Sequence, residues 1–193
     1  SDCLVGSEMC IRDSINRLTY QDLRHSVRTV TQEPFLFSDT VENNIAFAIE
    51  NRPENWQEHF PSLLQQAALQ EEVDKFPLQE QTIVGEKGIL LSGGQKQRIS
   101  LARAMATSCD LLILDNVLSA VDYETERYLL QQIFARRQAK SLLIVSHRVT
   151  AVEKADWILV LDEGRIVAQG THEELLQQPG YYQEMWALQH ETS

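Results

Sequence analysis

Short apolar runs alternate with longer helical segments along most of this chain of 193 residues. The apolar runs are rich in Leu, Ile and Val and have the length of strands that are buried on both faces of a parallel sheet. The segments between them repeat apolar residues every three or four positions, as on one face of an amphipathic helix. This alternation predicts an α/β fold with a largely parallel sheet. No linker rich in Pro, Gly or Ser interrupts it, so we expect one domain.

The clearest strands and helices can be placed from these patterns. Two strands are predicted at residues 111–115 and 141–146, and two more at 157–161 and 164–169 form a hairpin through the turn Asp-Glu-Gly. Helices are predicted at 92–107 and 122–138, where Leu101 with Met105, Leu129 with Ile133, and Leu130 with Phe134 lie four apart and share a face. A capping box at Thr171 opens a short terminal helix, which Pro179 and Gly180 end.

Composition excludes some classes of function. The formal net charge is -11, and the Lys and Arg residues are scattered, which argues against a nucleic-acid partner. No apolar run approaches the roughly 20 residues of a membrane-spanning helix. Cys3, Cys10 and Cys109 show no metal-ligand spacing, so we expect unpaired thiols in a reducing compartment such as the cytosol.

Residues 1–13 do not follow the regular pattern. Residues 4–13 match the translation of a transposase end and adapter used in sequencing-library preparation, so we expect that this segment derives from an adapter. The alternative is an ordinary disordered terminus. The domain itself would then cover residues 14–193, and the residues that normally precede it would have been lost where the adapter joins the chain.

Two glycines and a small hydroxyl stand at the start of a predicted helix. Ser92, Gly93, Gly94 and Gln95 follow a leucine to form the sequence Leu-Ser-Gly-Gly-Gln. Backbone N-H groups at a helix start can approach a phosphate closely when no side chain intervenes. A strand follows and ends in Asp115, whose carboxylate could hold Mg²⁺ beside a nucleotide.

These residues together resemble the ATP-binding-cassette (ABC) family. Leu-Ser-Gly-Gly-Gln is the signature of that family, residues 111–115 resemble its Walker B strand, and residues 119–122 its D-loop. Gln32 stands in the position of the Q-loop glutamine, and His147 in that of the switch histidine. The resemblance covers about residues 15–190 and implies an ABC ATPase domain of the P-loop NTPase class, with a helical subdomain at about 40–108.

The resemblance implies roles for these positions, with ATP and Mg²⁺ as cofactors. Gln32 and Asp115 would handle Mg²⁺, and His147 would reach the terminal phosphate. The remaining nucleotide-binding positions would be Ser92, Gly93, Gly94, Gln95 and Asp122.

Two further segments resemble those of exporters within this family. Residues 82–88 are similar to the exporter X-loop, in which Glu86 would transmit motion to transmembrane coupling helices. Phe35 and Phe37 follow Gln32 in a segment similar to the exporter Q-loop, where exposed aromatic rings would accept a coupling helix. Packing of both rings in the core is the alternative.

The chain departs from the family at two points. Asn116 stands where the family has its catalytic glutamate, and an amide cannot accept the proton of an attacking water. No G-x-x-x-x-G-K-[S/T] phosphate loop occurs in these residues. Because the sites of this family combine the Walker motifs of one subunit with the signature of another, we expect a degenerate own site and a signature that completes the site of a second nucleotide-binding domain.

We therefore expect the ATPase domain of a drug or lipid exporter, at the cytoplasmic face of the plasma (inner) membrane and paired with a heterodimer partner. Two alternatives are a soluble ABC ATPase that acts on nucleic acid or ribosomes, and a non-catalytic interaction module. The X-loop and the negative charge speak against the first, whereas Asn116 and the missing phosphate loop favour the second.

Overall fold

A computed structural model describes residues 19–86, 88–135 and 139–191. Cys3, Cys10 and the segment predicted to derive from an adapter lie outside the described residues. The described strands are β1 (Val27–Val30), β2 (Asp39–Thr40), β3 (Ile83–Val84), β4 (Cys109–Asp115), β5 (Ala139–Val145), β6 (Ile158–Asp162) and β7 (Arg165–Gly170). The α-helices are α1 (Tyr20–Ser26), α2 (Val41–Ala46), α3 (Trp56–Gln66), α4 (Gln70–Val73), α5 (Gly93–Met105), α6 (Tyr123–Ala135), α7 (His172–Gln177) and α8 (Tyr181–Glu191).

The main sheet has the strand order β1-β4-β5, and all three strands are parallel. Val30 lies opposite Leu114, and Leu114 lies opposite Ile144, so the three strands end at nearly the same level. Val30 and Leu114 are fully buried. The α/β prediction with a parallel sheet is therefore confirmed.

The two predicted helices pack their apolar faces into the core. Leu101 and Met105 of α5 are buried, as are Leu129 and Ile133 of α6. Phe134 remains 36% exposed, so the second predicted pair of α6 lies at the border of the core. The burial of these apolar surfaces holds both helices on the sheet.

The bounds of several elements differ from the predicted ones. Helix α5 begins at Gly93 rather than at residue 92, because Ser92 is its N-cap. Strand β4 begins at Cys109, two residues earlier than predicted, since it pairs with β5 from that point. Helix α6 begins after Asp122, and the predicted end of this helix at residues 136–138 lies outside the described residues.

The hairpin prediction is confirmed by β6 and β7. The strands are antiparallel, and Asp162 lies opposite Arg165. The two turn residues, Glu163 and Gly164, have φ angles of 45° and 74°. Two consecutive positive φ angles match the twist of a tight hairpin, and glycine adopts them without strain.

A deep cleft separates β5 from β6. In the described part of the chain, β5 pairs only with β4 and β6 pairs only with β7, so each has an edge without a strand partner. The cleft has a volume of about 1250 Å³, and both strands line it. Leu143 and Val145 of β5 are each 49% exposed. This side of the sheet thus presents apolar residues that no described element covers.

Helices α2 to α5 fall within the range predicted for a helical subdomain. A buried carboxylate connects several of its parts: Glu42 accepts hydrogen bonds from Trp56 Nε1 at 2.7 Å and from Gln81 Nε2 at 2.6 Å, and it pairs with Arg52. Glu42 is 5% exposed, so these donors replace the water that it loses. No helix among the described residues is both long and apolar enough to cross a bilayer.

Candidate functional site

Three of the predicted site residues meet at one edge of the main sheet. Asp115 is the last residue of β4 and lies opposite Val145, the last residue of β5. Gln32 follows the end of β1 by two residues, and His147 follows the end of β5 by two. The carboxyl ends of parallel strands are where open α/β sheets bind ligands. The register therefore brings the three side chains to the ligand-binding edge.

The polar groups at this edge suit a magnesium ion that shares its ligands with a nucleotide. Gln32 and Asp115 are exposed and offer an amide oxygen and a carboxylate. Mg²⁺ in nucleotide sites is held by one or two protein oxygens together with phosphate and water. No group of three or more His, Cys, Asp or Glu in the described ranges could hold a metal on its own. Gln32 and Asp115 thus fit a shared ion and not a site made of protein ligands alone.

Asn116 forms a tight turn directly after β4. Its φ angle is 50°, and its backbone N-H donates to the carbonyl of Val145 at 2.9 Å. Its carbonyl accepts from Ser119 Oγ at 2.9 Å. Asn is among the few residue types that enter the left-handed region readily. The backbone at this position therefore suits the residue that the chain carries.

The loop that holds His147 is attached to the C-terminal helix. Gln189 of α8 donates from Nε2 to the carbonyl of His147 at 3.3 Å, and its Oε1 accepts from the N-H of Val149 at 2.9 Å. One side chain thus holds the backbone on both sides of Arg148. The side chain of His147 itself is exposed at the sheet edge.

Arg148 connects this loop to the D-loop. Its guanidinium pairs with the carboxylate of Glu126, which is 1% exposed, and donates to the carbonyls of Ser119 and Val121 at 3.4 Å. Thr150 donates a further bond to Glu126 at 3.4 Å. An unpaired buried carboxylate is costly, so these bonds stabilise the connection between the two loops.

The signature forms the start of α5, as predicted, and Ser92 is the N-cap of this helix. Ser92 Oγ accepts from the N-H of Gln95 at 3.2 Å, and Gln95 Oε1 accepts from the N-H of Ser92 at 2.8 Å, which completes a capping box. Gly94 packs against the D-loop: a Cβ at this position would lie 2.8 Å from the carbonyl oxygen of Ala120. Gly93 has room for a Cβ, whose nearest neighbour would be the Cβ of Ala120 at a van der Waals distance of 4.0 Å.

Asp122 has a structural function in addition to the predicted one. It accepts from the N-H of Thr125 at 3.0 Å and from Thr125 Oγ1 at 2.7 Å. The bond from the Thr125 backbone, and to a lesser extent that from its hydroxyl, holds the pKa of the Asp122 carboxyl below its usual value. Asp122 thus caps the start of α6, and its contact with nucleotide stays a prediction.

Three aromatic rings form an exposed patch, which we call the aromatic patch: Phe35, Phe37 and Phe47. Phe35 is 71% exposed and Phe47 62%, whereas Phe37 is 37% exposed and lies between them, with ring centroids 5.1 and 4.3 Å away. The core-packing alternative is therefore wrong for Phe35, and Phe37 is only partly covered.

The predicted X-loop lies beside this patch. Strand β3 precedes Glu86 and pairs with β2, where Val84 lies opposite Asp39. Gly85, with a φ angle of 90°, approaches the carbonyl of Phe37 so closely that a Cβ would lie 3.1 Å from it. The pairing thus brings the segment of Glu86, which is itself exposed, next to the segment of Phe37.

Several residues of this region were not predicted from the sequence. Asn44 is 1% exposed and binds the backbone of Phe37, accepting from its N-H at 2.9 Å and donating to its carbonyl at 3.0 Å. Arg103 and Gln97, both on α5, reach the same stretch of chain. A buried amide in a short helix leaves no periodic signal, and the partners of these residues lie up to 68 positions away.

Comparison with known proteins agrees with these observations. The profile described as "ABC transporter" matches residues 3–119, more than half of the chain. The multidrug resistance-like ATP-binding protein MdlA of Escherichia coli (strain K12) is 41% identical over 175 residues, which cover 91% of this chain and 29% of MdlA. The ATP-dependent lipid A-core flippase of Haemophilus ducreyi is 38% identical over 176 residues, covering 91% of this chain and 30% of the flippase.

A solved structure of a bacterial Atm1-family ABC exporter with ATP bound superposes with a TM-score of 0.82 at 35% identity. The match covers 91% of this chain and 30% of the exporter chain. The chain belongs to the ABC transporter family, and its α/β fold is that of an ABC ATPase domain. It spans about 30% of the length of the relatives that it matches.

Proposed function

We propose that this chain is part of the ATP-binding domain of an ABC exporter, in which ATP-driven closure of two such domains powers transport across a membrane. Its place would be the cytoplasmic face of the plasma (inner) membrane, attached to a transmembrane region of the whole protein. The names of its relatives support this proposal, since they include a multidrug resistance-like protein and lipid A-core flippases.

The observation that carries the proposal is the convergence of Gln32, Asp115 and His147 at the carboxyl edge of β1, β4 and β5. In this arrangement Asp115 and Gln32 would hold Mg²⁺, and the imidazole of His147 would donate to the terminal phosphate. Bound Mg²⁺ would neutralise charge on the phosphate oxygens. Positioning of the reactants and stabilisation of charge account for most of the catalysis in phosphoryl transfer.

Hydrolysis at the site of this Walker B strand would be slow. The amide of Asn116 can orient a water molecule but cannot take its proton. The loss of a general base costs on the order of 10²- to 10⁴-fold in rate. The site of Asp115 would therefore bind ATP and retain it.

The signature end of α5 would serve a different nucleotide. Ser92 and Gly93 are exposed at the start of α5. The backbone N-H of Ser92 is used by the capping box, so the backbone N-H of Gly93 and the hydroxyl proton of Ser92 would bind the phosphates of an ATP on a second nucleotide-binding domain. A partner that carries the catalytic glutamate would then hydrolyse this ATP. This division of labour favours a heterodimer.

The cleft between β5 and β6 would receive the segment with the phosphate loop in the whole protein. A phosphate loop is part of a strand–loop–helix unit. The unpaired edges of β5 and β6 offer hydrogen bonds to such a strand, and a helix would cover the exposed Leu143 and Val145. The loop between them would then emerge at the edge of the sheet that holds His147.

The test uses the full-length protein mixed with its partner. Ser92→Arg, which places a long cation in the signature, is expected to abolish ATP hydrolysis by the complex. Asn116→Ala is expected to leave most of it. Activity that survives Ser92→Arg and is lost with Asn116→Ala would refute the composite-site proposal. A complex that binds no ATP at all would favour an interaction module.

A further inference from the structure

Helix α5 holds the segment of residues 31–37, which we call the Q segment, at two separate positions. One contact involves Gln97 and the other Arg103. The same helix begins at the signature. The contacts therefore lie between two functional parts of the molecule: Gln32 with the aromatic patch on one side, and the signature on the other.

The first contact is made by a buried amide. Gln97 is 4% exposed, and its Nε2 donates to the carbonyl of Gln32 at 3.0 Å. Its Oε1 is buried and finds no donor within the described part of the chain. Separation of the Q segment from α5 would leave the amide with no partner at all, and an unpaired buried polar group is costly.

The second contact is a fork of hydrogen bonds from one guanidinium. Arg103 donates to the carbonyl of Phe35 at 3.0 Å, to the carbonyl of Asn44 at 2.7 Å and to Asn44 Oδ1 at 3.0 Å. The guanidinium also lies 5.8 Å from the ring centre of Phe37 and 5.7 Å from that of Phe47. A planar guanidinium can make this set of bonds and stack on rings at once, which an ammonium cannot.

The two contacts are far enough apart to fix orientation as well as distance. Gln97 and Arg103 are six residues apart on α5, which is about 9 Å along the helix axis. We propose that Gln97 and Arg103 are positioning residues that make α5 and the Q segment one rigid unit. A push on the aromatic patch would then move the signature end of α5 together with Gln32.

This inference rests on the proposed function only for the role of the signature. A second arginine on the same helix provides a matched control. Arg98 is partly buried like Arg103, but it donates to the carbonyls of Ala68 and Gly94 and pairs with Glu72 at 2.7 Å. All three of these partners lie outside the Q segment. Arg98→Lys thus loses a comparable fork without loosening the proposed unit.

The test measures a distance within the unit in the full-length protein with its partner. Spin labels are attached at two exposed positions, Glu33→Cys in the Q segment and Lys96→Cys on α5, in a background without other reactive cysteines. The distance is compared between the nucleotide-free state and the state trapped with Mg-ATP and vanadate. In the otherwise unmodified protein, we expect it to shift by less than about 2 Å, the limit of a small displacement.

Gln97→Leu and Arg103→Lys, singly and together, should make the distance shift by more than this amount on trapping, whereas Arg98→Lys should not. A large shift without these substitutions overturns the proposal, and so does an unchanged distance in the double variant. ATP hydrolysis is recorded in the same samples. If the complex hydrolyses no ATP before any substitution, the proposed function is contradicted. The distance measured in the variants without nucleotide still tests the contacts of α5.

Discussion

The Q segment with α5 and the cleft between β5 and β6 are opposite kinds of surface in one small domain. In the first region, the buried side chains of Asn44 and Gln97 bind the backbone of the Q segment, and Gly94 packs tightly on the D-loop. In the second region, Leu143 and Val145 are half exposed beside strand edges without partners in the described residues.

The difference indicates which half of the proposed composite site this chain would build by itself. The signature, its cap and its attachment to the Q segment need no further residues. The sheet edge that would hold the chain's own nucleotide adjoins the open cleft. The half that would serve a partner needs no further residues, and the half that would serve this chain's own nucleotide would depend on the segment proposed for the cleft.

The largest expected effect is that of a charge in the cleft. Leu143→Asp should leave the unfolding free energy of this chain within about 0.5 kcal/mol, because the side chain is already half exposed. In the full-length protein it should abolish ATP binding, because the carboxylate would be buried without a partner. Urea denaturation and equilibrium nucleotide binding measure the two effects.

Leu78→Asp is the control, since Leu78 is 65% exposed and lies outside the cleft. It should change neither measurement. A clear loss of unfolding free energy in this chain with Leu143→Asp, or unchanged ATP binding by the full-length variant, would contradict the comparison of the two regions.

The second expectation concerns the missing base. Asn116→Glu should raise hydrolysis at this chain's own site by about 10²- to 10⁴-fold, measured in a complex whose partner site is inactivated. It should also lower the unfolding free energy by about 1 kcal/mol, because Glu tolerates the φ angle of 50° less well than Asn.

Asn116→Gln separates these two effects. It has the same backbone cost but carries no base, so hydrolysis should stay at the original level. A rise in hydrolysis with Gln as large as that with Glu would show that the carboxylate is not what the site lacks.

The third expectation compares a buried ion pair with an exposed one. Arg148→Met should lower the unfolding free energy by about 3 kcal/mol, because it leaves the carboxylate of Glu126 buried without its cation. Lys140→Met removes the cation of an exposed pair with Asp110 and should have no measurable effect. Urea denaturation compares the two variants, and equal losses would contradict the assignment of Arg148 as the connection between the D-loop and the loop of His147.

The smallest expected effect concerns the two signature glycines. Gly94→Ala should cost about 2 kcal/mol, because its Cβ would lie 2.8 Å from the Ala120 carbonyl oxygen and force the start of α5 away from the D-loop. Gly93→Ala makes only a van der Waals contact with Ala120 and should not lower stability. Thermal unfolding ranks the variants, and the reverse order would refute the described packing.

Much of this molecule follows from the sequence because its signals are local. The parallel sheet, the hairpin and the cap at Thr171 depend on patterns within a few residues of each other. The resemblance to the ABC family implied that Gln32, Asp115 and His147 act in one site, whereas the strand that positions Gln32, β1, was not predicted.

The connections between these elements could not be predicted. The bond from Arg103 to Phe35 and that from Gln97 to Gln32 join residues 68 and 65 positions apart, and no spacing rule relates them. Gln189, which holds the loop of His147 from α8, has the same property. The left-handed turn at Asn116 was not predicted either, because a single asparagine after a strand tolerates this conformation without requiring it.

The most direct test of the central claim identifies the nucleotide at each of the two sites. The full-length protein and its partner are incubated with a photoreactive Mg-ATP analogue, freed of unbound nucleotide, crosslinked and digested to locate the label on each chain. We expect intact triphosphate on this chain, at the site of Asp115 and Asn116, and diphosphate on the partner, at the site that the signature of Ser92 completes. Diphosphate in equal amounts on both chains would contradict the account.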